Sequence, residues 1–392
     1  MEQIFSNAEK ALLIESARLA GDWFVNTQNS TSQSWGCVRA IDSADRGRYL
    51  EKVHPARSPH WPAAIWIQGI ATFSLLNLKQ LNIPQMERYE KSAVEAARYL
   101  ASCQCFNKNW PDGIGGFHEF FPNDSYSAPR DAASAAIACL SLYRHTHDFT
   151  WLNRAESFAT WYSTKGCDSD GYPWDDFDLQ KGKGISNLRG DWQAGGGLLY
   201  YQLYSLTGNE QWKEALYRIL DILVDICDKA DPNLDTAYTF HGQNILSVGN
   251  DDFANTVLLA GFKLFKEMRF LKLFEKRMRL EWTRQAESGA FPGYGGTFVT
   301  SIEMIDALEM IAQGVEILPQ EELVYRLRQA ALFSLTTQER HSTDRYLLGG
   351  VFGESNYAYG RDIIHARDTA YGIQLWLKLA GFEAKEYSIQ GW

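Results

Sequence analysis

Apolar residues gather in six stretches of this chain, and stretches with one apolar and one charged face alternate with them. The clearest apolar stretch is Leu188 to Gly208, LRGDWQAGGGLLYYQLYSLTG. Asp191 stands where a helix should begin, since a carboxylate there accepts from free first-turn N–H groups and meets the positive end of the helix dipole. Ala194, Gly195, Gly196 and Gly197 permit close backbone approach, and the leucines and tyrosines that follow leave little polar face, which predicts a buried helix. Gly208 ends it, and an amphipathic helix from Gln211 to Asp225 begins at once.

The same order recurs six times: a loop rich in glycine and aromatics, then an acid or Trp-Pro, then an apolar helix. Ser58-Pro59-His60-Trp61-Pro62 leads into AAIWIQGIATFSLLNL, with Pro62 suited to an early helical position. Asp131 leads into AASAAIACLSLYRHT, Asp251-Asp252 into FANTVLLAGFKLF, Glu303 and Asp306 into ALEMIAQ, and Asp368 into TAYGIQLWLKLAG. Asp131, Asp191 and Asp251 stand 60 residues apart, and Asp306 and Asp368 stand 62 apart. Amphipathic segments lie between, among them Gln85 to Ser102, Trp151 to Thr164 and Gln320 to Ser334. An inner ring of buried helices inside an outer ring of amphipathic ones, closed on itself, satisfies every apolar face. The pattern therefore predicts an all-α chain of twelve helices, an (α/α)6 barrel forming a single toroidal domain over residues 1–392. The loops before the inner helices then open at one end.

Composition adds little to this picture but removes some alternatives. At 392 residues, with 45% hydrophobic and 22% charged residues, the chain has material for a large core. A net charge of −10 argues against nucleic acid and against an anionic membrane surface as partners, because both demand a basic face. The first residues, MEQIFSNAEKALLIESARLAGDWF, carry acids and a helical period rather than a secretory signal, and no transmembrane run is present, so the expected location is cytoplasmic. Six scattered cysteines fit a reducing compartment, and Cys103-Gln-Cys105 without a second ligand pair reads as buried thiols. Nothing in the sequence speaks to oligomeric state.

The chemistry-bearing residues collect before the inner helices. Asp131, Asp191, Asp252 and Asp368 each serve as helix caps in the simplest reading; in the functional one they ring a pocket whose crowding raises one carboxyl enough to protonate a leaving oxygen. Arg130, Arg189, Arg361 and Arg367 either pair with these acids or clamp a sugar carboxylate. Trp35, Trp61, Trp110, Trp174 and Trp192, with Tyr294, Tyr357 and Tyr359, pack loop onto barrel or stack on a ligand. His60, His241 and His365 are structural or supply acid and base for proton abstraction. Trp174-Asp175-Asp176-Phe177-Asp178 is a solvated acidic loop or an oxygen-ligand site for a divalent cation. No other cofactor is implied.

Arg189-Gly190-Asp191-Trp192-Gln193-Ala194 followed by LLYYQLYSLTGN resembles the helix start of unsaturated glucuronyl and rhamnogalacturonyl hydrolases. That resemblance implies an aspartate general acid/base one unit earlier, at Asp131, and a second aspartate one unit earlier again, where this chain has His60-Trp61-Pro62. Gly115-Gly116-Phe117-His118-Glu119-Phe120-Phe121-Pro122 and Asn250-Asp251-Asp252-Phe253-Ala254 resemble motifs of (α/α) pectate lyases, and DTAYGIQLWLKLAG looks like the repeats of squalene-cyclase and prenyltransferase toroids. The D-x-D-D acid motif of class II terpenoid cyclases is absent from the sequence.

The favoured expectation is a hydrolase of acidic, uronic-acid-containing oligosaccharides, with Asp131 as proton carrier and Asp191 or Asp252 as second acid. Arg189 orients the sugar, and Trp192 and Trp61 stack on it. The alternatives are a uronate lyase or C5-epimerase using His241, His365 or a tyrosine, a terpenoid-cyclase-like enzyme, and a non-catalytic binding barrel.

Overall fold

The computed structural model describes residues 4–29, 48–54, 57–84, 86–186, 189–229, 253–291, 296–353 and 363–392. Six helices are buried over most of their surface: α2 (Ile65–Asn77), α4 (Pro129–Thr146), α6 (Gly197–Thr207), α8 (Ala254–Phe265), α10 (Gly296–Ala312) and α12 (Ala366–Ala380). Six others alternate with them along the chain: α1 (Asn7–Thr27), α3 (Met86–Ser102), α5 (Phe149–Thr164), α7 (Glu210–Lys229), α9 (Met268–Arg284) and α11 (Gln320–Thr336). The sequence explains the division. Every residue of α2 from Ile65 to Leu76 is buried, whereas α3 buries only the stripe of Tyr89, Ser92, Ala93, Ala96, Ala97, Tyr99 and Leu100 and turns its charges outward. The chain is an (α/α)6 barrel.

Small residues let the inner helices touch. A Cβ at Gly69 of α2 would lie 2.6 Å from the Ser134 carbonyl oxygen and 2.8 Å from the Ala135 nitrogen of α4. The ring closes between its last and first inner helices, where Ser74 donates to the Ala370 carbonyl at 3.2 Å and Gln374 donates to Ser74 at 3.0 Å. Outside that seam, the Trp23 indole of α1 donates to the Tyr346 carbonyl at 2.9 Å.

Two small antiparallel sheets stand in the connections that enter inner helices. One has the order β2-β1-β6, from β1 (Leu50–His54), β2 (Arg57–Pro62) and β6 (Ile364–His365); the other runs β3-β4-β5, from β3 (Tyr126–Ser127), β4 (Asp176–Asp178) and β5 (Lys183–Ser186). Pro62 thus ends a strand, and α2 begins at Ile65 rather than at the proline. At the opposite end, residues 383–392 pass under the barrel. Tyr387 enters its axis, stacked on Phe253 at 4.3 Å, edge-on to Phe73, and with its hydroxyl 2.7 Å from Ser134.

Among the described residues no helix is long and apolar enough to cross a membrane. Cys103 and Cys139 are fully buried, and burial pushes both thiols up to about 12, which suits their reading as small apolar groups.

Candidate functional site

The start of α4 carries a partly exposed polar cluster. Ala128 holds the N-cap position, Pro129 supplies the fixed φ of the first turn, and Asp131 follows in that turn, 35% exposed, with Arg130 at 3.2 Å. β3 leads directly into this turn. Its Tyr126 donates a hydrogen bond from its hydroxyl to Asp176 Oδ1 on β4, and its ring stacks on the half-exposed Phe120 at 5.8 Å. Burial, then the negative charges of Asp176, Glu119 and Asp131, hold the Tyr126 phenol protonated far beyond its ordinary range. Two hydroxyls beside this cluster, Ser127 Oγ and Tyr162 Oη, are buried and lack a hydrogen-bond partner among the described residues. Tyr162 lies within electrostatic reach of Arg130 and Asp131, and its hydroxyl occupies the space that a side chain at Gly196 would need.

A second cluster surrounds Asp191, and it differs from the expected cap. Gly190 is the N-cap of a 3-10 turn, Asp191–Gly196, and Asp191 is fully buried with its Oδ2 2.5 Å from Arg277 of α9. Arg277 also donates to Asn255 at 2.8 Å, and Asn255 donates to Glu303 at 2.8 Å. Glu303 and Asp306 are therefore not helix-start acids. Helix α10 begins at Gly296, so both lie inside it, where Asp306 receives Ser388 at 2.9 Å, Thr256 at 3.2 Å and Lys378 at 3.3 Å. The sequence pattern mistook them for a start because each has its partner on another helix.

The third cluster caps α12. His365 is the N-cap, its Nδ1 accepting from the Arg367 N–H at 3.1 Å, and Arg367 makes two 3.0 Å hydrogen bonds to Asp368. All three are fully buried. Burial, then the charges of Arg367 and Lys52, holds the His365 imidazole well below its ordinary range, and burial raises the Asp368 carboxyl.

Other predicted positions fall elsewhere. Arg189 does not orient toward Asp131: it donates to Asp168 at 2.7 Å and to Asp170 at 2.5 Å, in a groove shared with Arg218 and Asp221 of α7. Two carboxylates within reach hold its guanidinium there. Trp192 is nearly buried and folds back over Gly190. Trp110 packs edge-on to His118 at 5.9 Å, and Trp174 lies over Gly184. His60 and Trp61 lie on β2, with side chains outside the described residues, as are Trp35, His241, Asp252, Tyr294, Tyr357, Tyr359 and Arg361 altogether. The last three residues of the Trp174–Asp178 string form β4 rather than part of an acidic loop, and they send Asp176 to Tyr126 and Asp178 to Lys181 at 2.8 Å. Among the described residues no three His, Cys, Asp or Glu side chains group as a metal site would require.

Sequence reasoning missed Tyr126, Tyr162 and Arg277. Only a β-strand pairing places Tyr126 beside Asp176, 50 residues away, and neither flank carries an alternating pattern long enough to announce a strand.

Neither a known sequence family nor a curated protein matches the chain. Solved structures do resemble it. A cellobiose 2-epimerase from Bacillus thermoamylovorans superposes with a TM-score of 0.70 at 12% identity, covering 95% of this chain and all of that one. An unsaturated glucuronyl hydrolase from Bacillus sp. GL1 gives 0.67 at 12% identity, covering 98% and 100%. A GH76 α-mannanase from Bacteroides thetaiotaomicron gives 0.65 at 13%, covering 94% and 95%. What this chain shares with all three, over nearly its whole length, is the (α/α)6-barrel fold.

Proposed function

We propose that this protein is a carbohydrate-active enzyme that hydrolyses short, acidic, uronic-acid-containing oligosaccharides, with Asp131 as the proton carrier. One observation carries the reading: a partly exposed carboxylate at the first turn of α4 stands with an arginine, a phenol–carboxylate pair and two buried hydroxyls that find no partner within the described residues. The exposed carboxylate and the guanidinium beside it are groups that the hydroxyls and carboxylate of an acidic sugar can bond. In the proposed reaction Asp131 gives its proton to the glycosidic oxygen as the bond from the anomeric carbon to that oxygen breaks, and water adds to that carbon, losing its proton to a second carboxylate. Arg130 takes the sugar carboxylate, the part the sequence assigned to Arg189. Three proteins of this fold, named as an epimerase, a glucuronyl hydrolase and a mannanase, support a sugar as the substrate class.

A second reading, proton abstraction leading to epimerisation or elimination, draws on His365. Its imidazole is neutral, and the Arg367 N–H at Nδ1 leaves the proton on Nε2, so in this reading the ring is the hydrogen-bond donor that steadies the developing enolate, and another group takes the proton.

NMR spectra of saturated and unsaturated uronate disaccharides and of cellobiose, each incubated with the protein in D2O, separate the two. Hydrolysis releases two monosaccharides and is lost in Asp131→Asn. Epimerisation places deuterium on carbon without cleavage and is lost in His365→Gln. A protein that leaves every sugar unchanged is not the enzyme proposed.

A further inference from the structure

We propose that Asp176 is the second carboxylate of this site, the one that stays ionised opposite a protonated Asp131, and that Tyr126 is the residue positioning it. The inference rests on Asp131 being the proton carrier and names the partner that role requires. It replaces Asp191, whose carboxylate is buried against Arg277.

The local topology brings the groups together. β3 and β4 pair antiparallel with Tyr126 opposite Asp178 and Ser127 opposite Phe177, and β3 passes through Ala128 into the first turn of α4. Asp131 therefore follows the Tyr126–Asp176 hydrogen bond by five residues of chain. Tyr126 is fixed on several sides: Phe120 stacks on its ring, its backbone N–H donates to Asp124 Oδ1 at 3.2 Å, and its carbonyl accepts from the Glu119 N–H at 3.0 Å. A phenol held in this way places Asp176 as much as it bonds it.

The division of roles follows from which carboxylate receives the donor. Tyr126 donates to Asp176, which suits that carboxylate to the part of proton acceptor and leaves the part of donor to Asp131. Tyr126 is the donor at every working pH because burial and three surrounding carboxylates keep its proton on. Among the described residues Glu119 adds to the negative field, and Arg130 opposes protonation of Asp131 from 3.2 Å. When Arg130 turns to the carboxylate of a bound uronate that opposition is neutralised, so the substrate itself completes the proton donor. Asp176 is partly exposed, and Tyr126 holds its Oδ1.

Titration of protein labelled with [γ-13C]aspartate tests the pair without any substrate. The two resonances are assigned by their loss in Asp131→Asn and Asp176→Asn. The two carboxyls are expected to titrate as a coupled pair, the Asp131 resonance changing its titration in Asp176→Asn and the Asp176 resonance changing its titration in Tyr126→Phe, which keeps the ring and its stacking. An Asp131 midpoint that is the same in wild type and Asp176→Asn overturns the pairing, and an unmoved Asp176 in Tyr126→Phe overturns the role of Tyr126. Turnover of a uronate with uncoupled titrations leaves the reaction and removes Asp176. Coupled titrations with no turnover leave the pair and remove the reaction.

Discussion

Arg277 of α9 reaches between two inner helices to place its Nη1 2.5 Å from the Oδ2 of the fully buried Asp191, while its Nε holds Asn255. An outer helix thus supplies the countercharge at the entrance to α6. Removing one partner of such a pair strands the other charge in the core, which costs about 3–5 kcal/mol. Arg277→Met and Asp191→Asn are each expected to destabilise by that order in urea unfolding. The double variant should lose less than the sum, because its second change removes the stranded charge. Additive losses would mean that the two residues are not coupled.

Asp131 behaves differently because it is one-third exposed, with its ion pair to the adjacent Arg130 in the first turn of α4. Asp131→Asn should leave the melting temperature nearly unchanged while lowering turnover of a uronate disaccharide by about 10²–10⁴-fold, the usual contribution of a general acid. Wild-type turnover in that variant ends its candidacy. A large fall in melting temperature would mark it as structural instead.

His365 gives the protein a pH signature. Its folded-state proton affinity is depressed well below the ordinary histidine value of 6.5, so below that pH the unfolded chain binds a proton that the folded chain refuses. Its contribution to stability is complete above about 6.5 and declines as pH falls beneath it. Asp306 and Asp368, raised by burial, act with the opposite sign at lower pH: their contribution is full below the ordinary aspartate value of 3.8 and is lost as pH rises through their folded-state values. Melting curves between pH 7.5 and about 5.5 should therefore shift downward in the wild type and less in His365→Gln. Equal slopes would show that His365 is not the group responsible.

Gly69 is the tightest test of helix packing. A methyl group there meets backbone atoms of Ser134 and Ala135, which cannot rotate away. Gly69→Ala should cost about 1–3 kcal/mol, the range for overpacking, despite alanine's better helix propensity. A stabilised variant would mean that α2 and α4 stand further apart than the structure has them.

How far the sequence could be read depends on where each signal resides. The alternation of all-apolar and amphipathic stretches is local, and it placed α3, α5, α7 and α11 within a few residues of their observed ends. Polar partnerships are not local. Glu303 and Asp306 resemble helix-start acids until Asn255 and Lys378 are seen beside them, and Arg189 resembles a substrate clamp until Asp168 and Asp170 are. Asp176 sits in a string that looks like a charged loop, and only its pairing with β3 gives it a phenol donor.

The segment that crosses beneath the barrel bonds to every one of the six inner helices. Glu386 takes Asn77 of α2 and Ser141 of α4; the carbonyls of Lys385 and Ile389 take Gln202 of α6 and Lys263 of α8; Ser388 reaches Asp306 of α10; and the Ala384 carbonyl takes Lys378 of α12. Repeated hairpins that touch only their neighbours can melt piecemeal, one unit at a time. A strap tied to all six denies them that independence. It finds its full set of partners only when the ring is whole, and losing any one inner helix loosens its hold on the other five. The barrel should consequently melt as a single cooperative unit rather than unravel from one hairpin to the next.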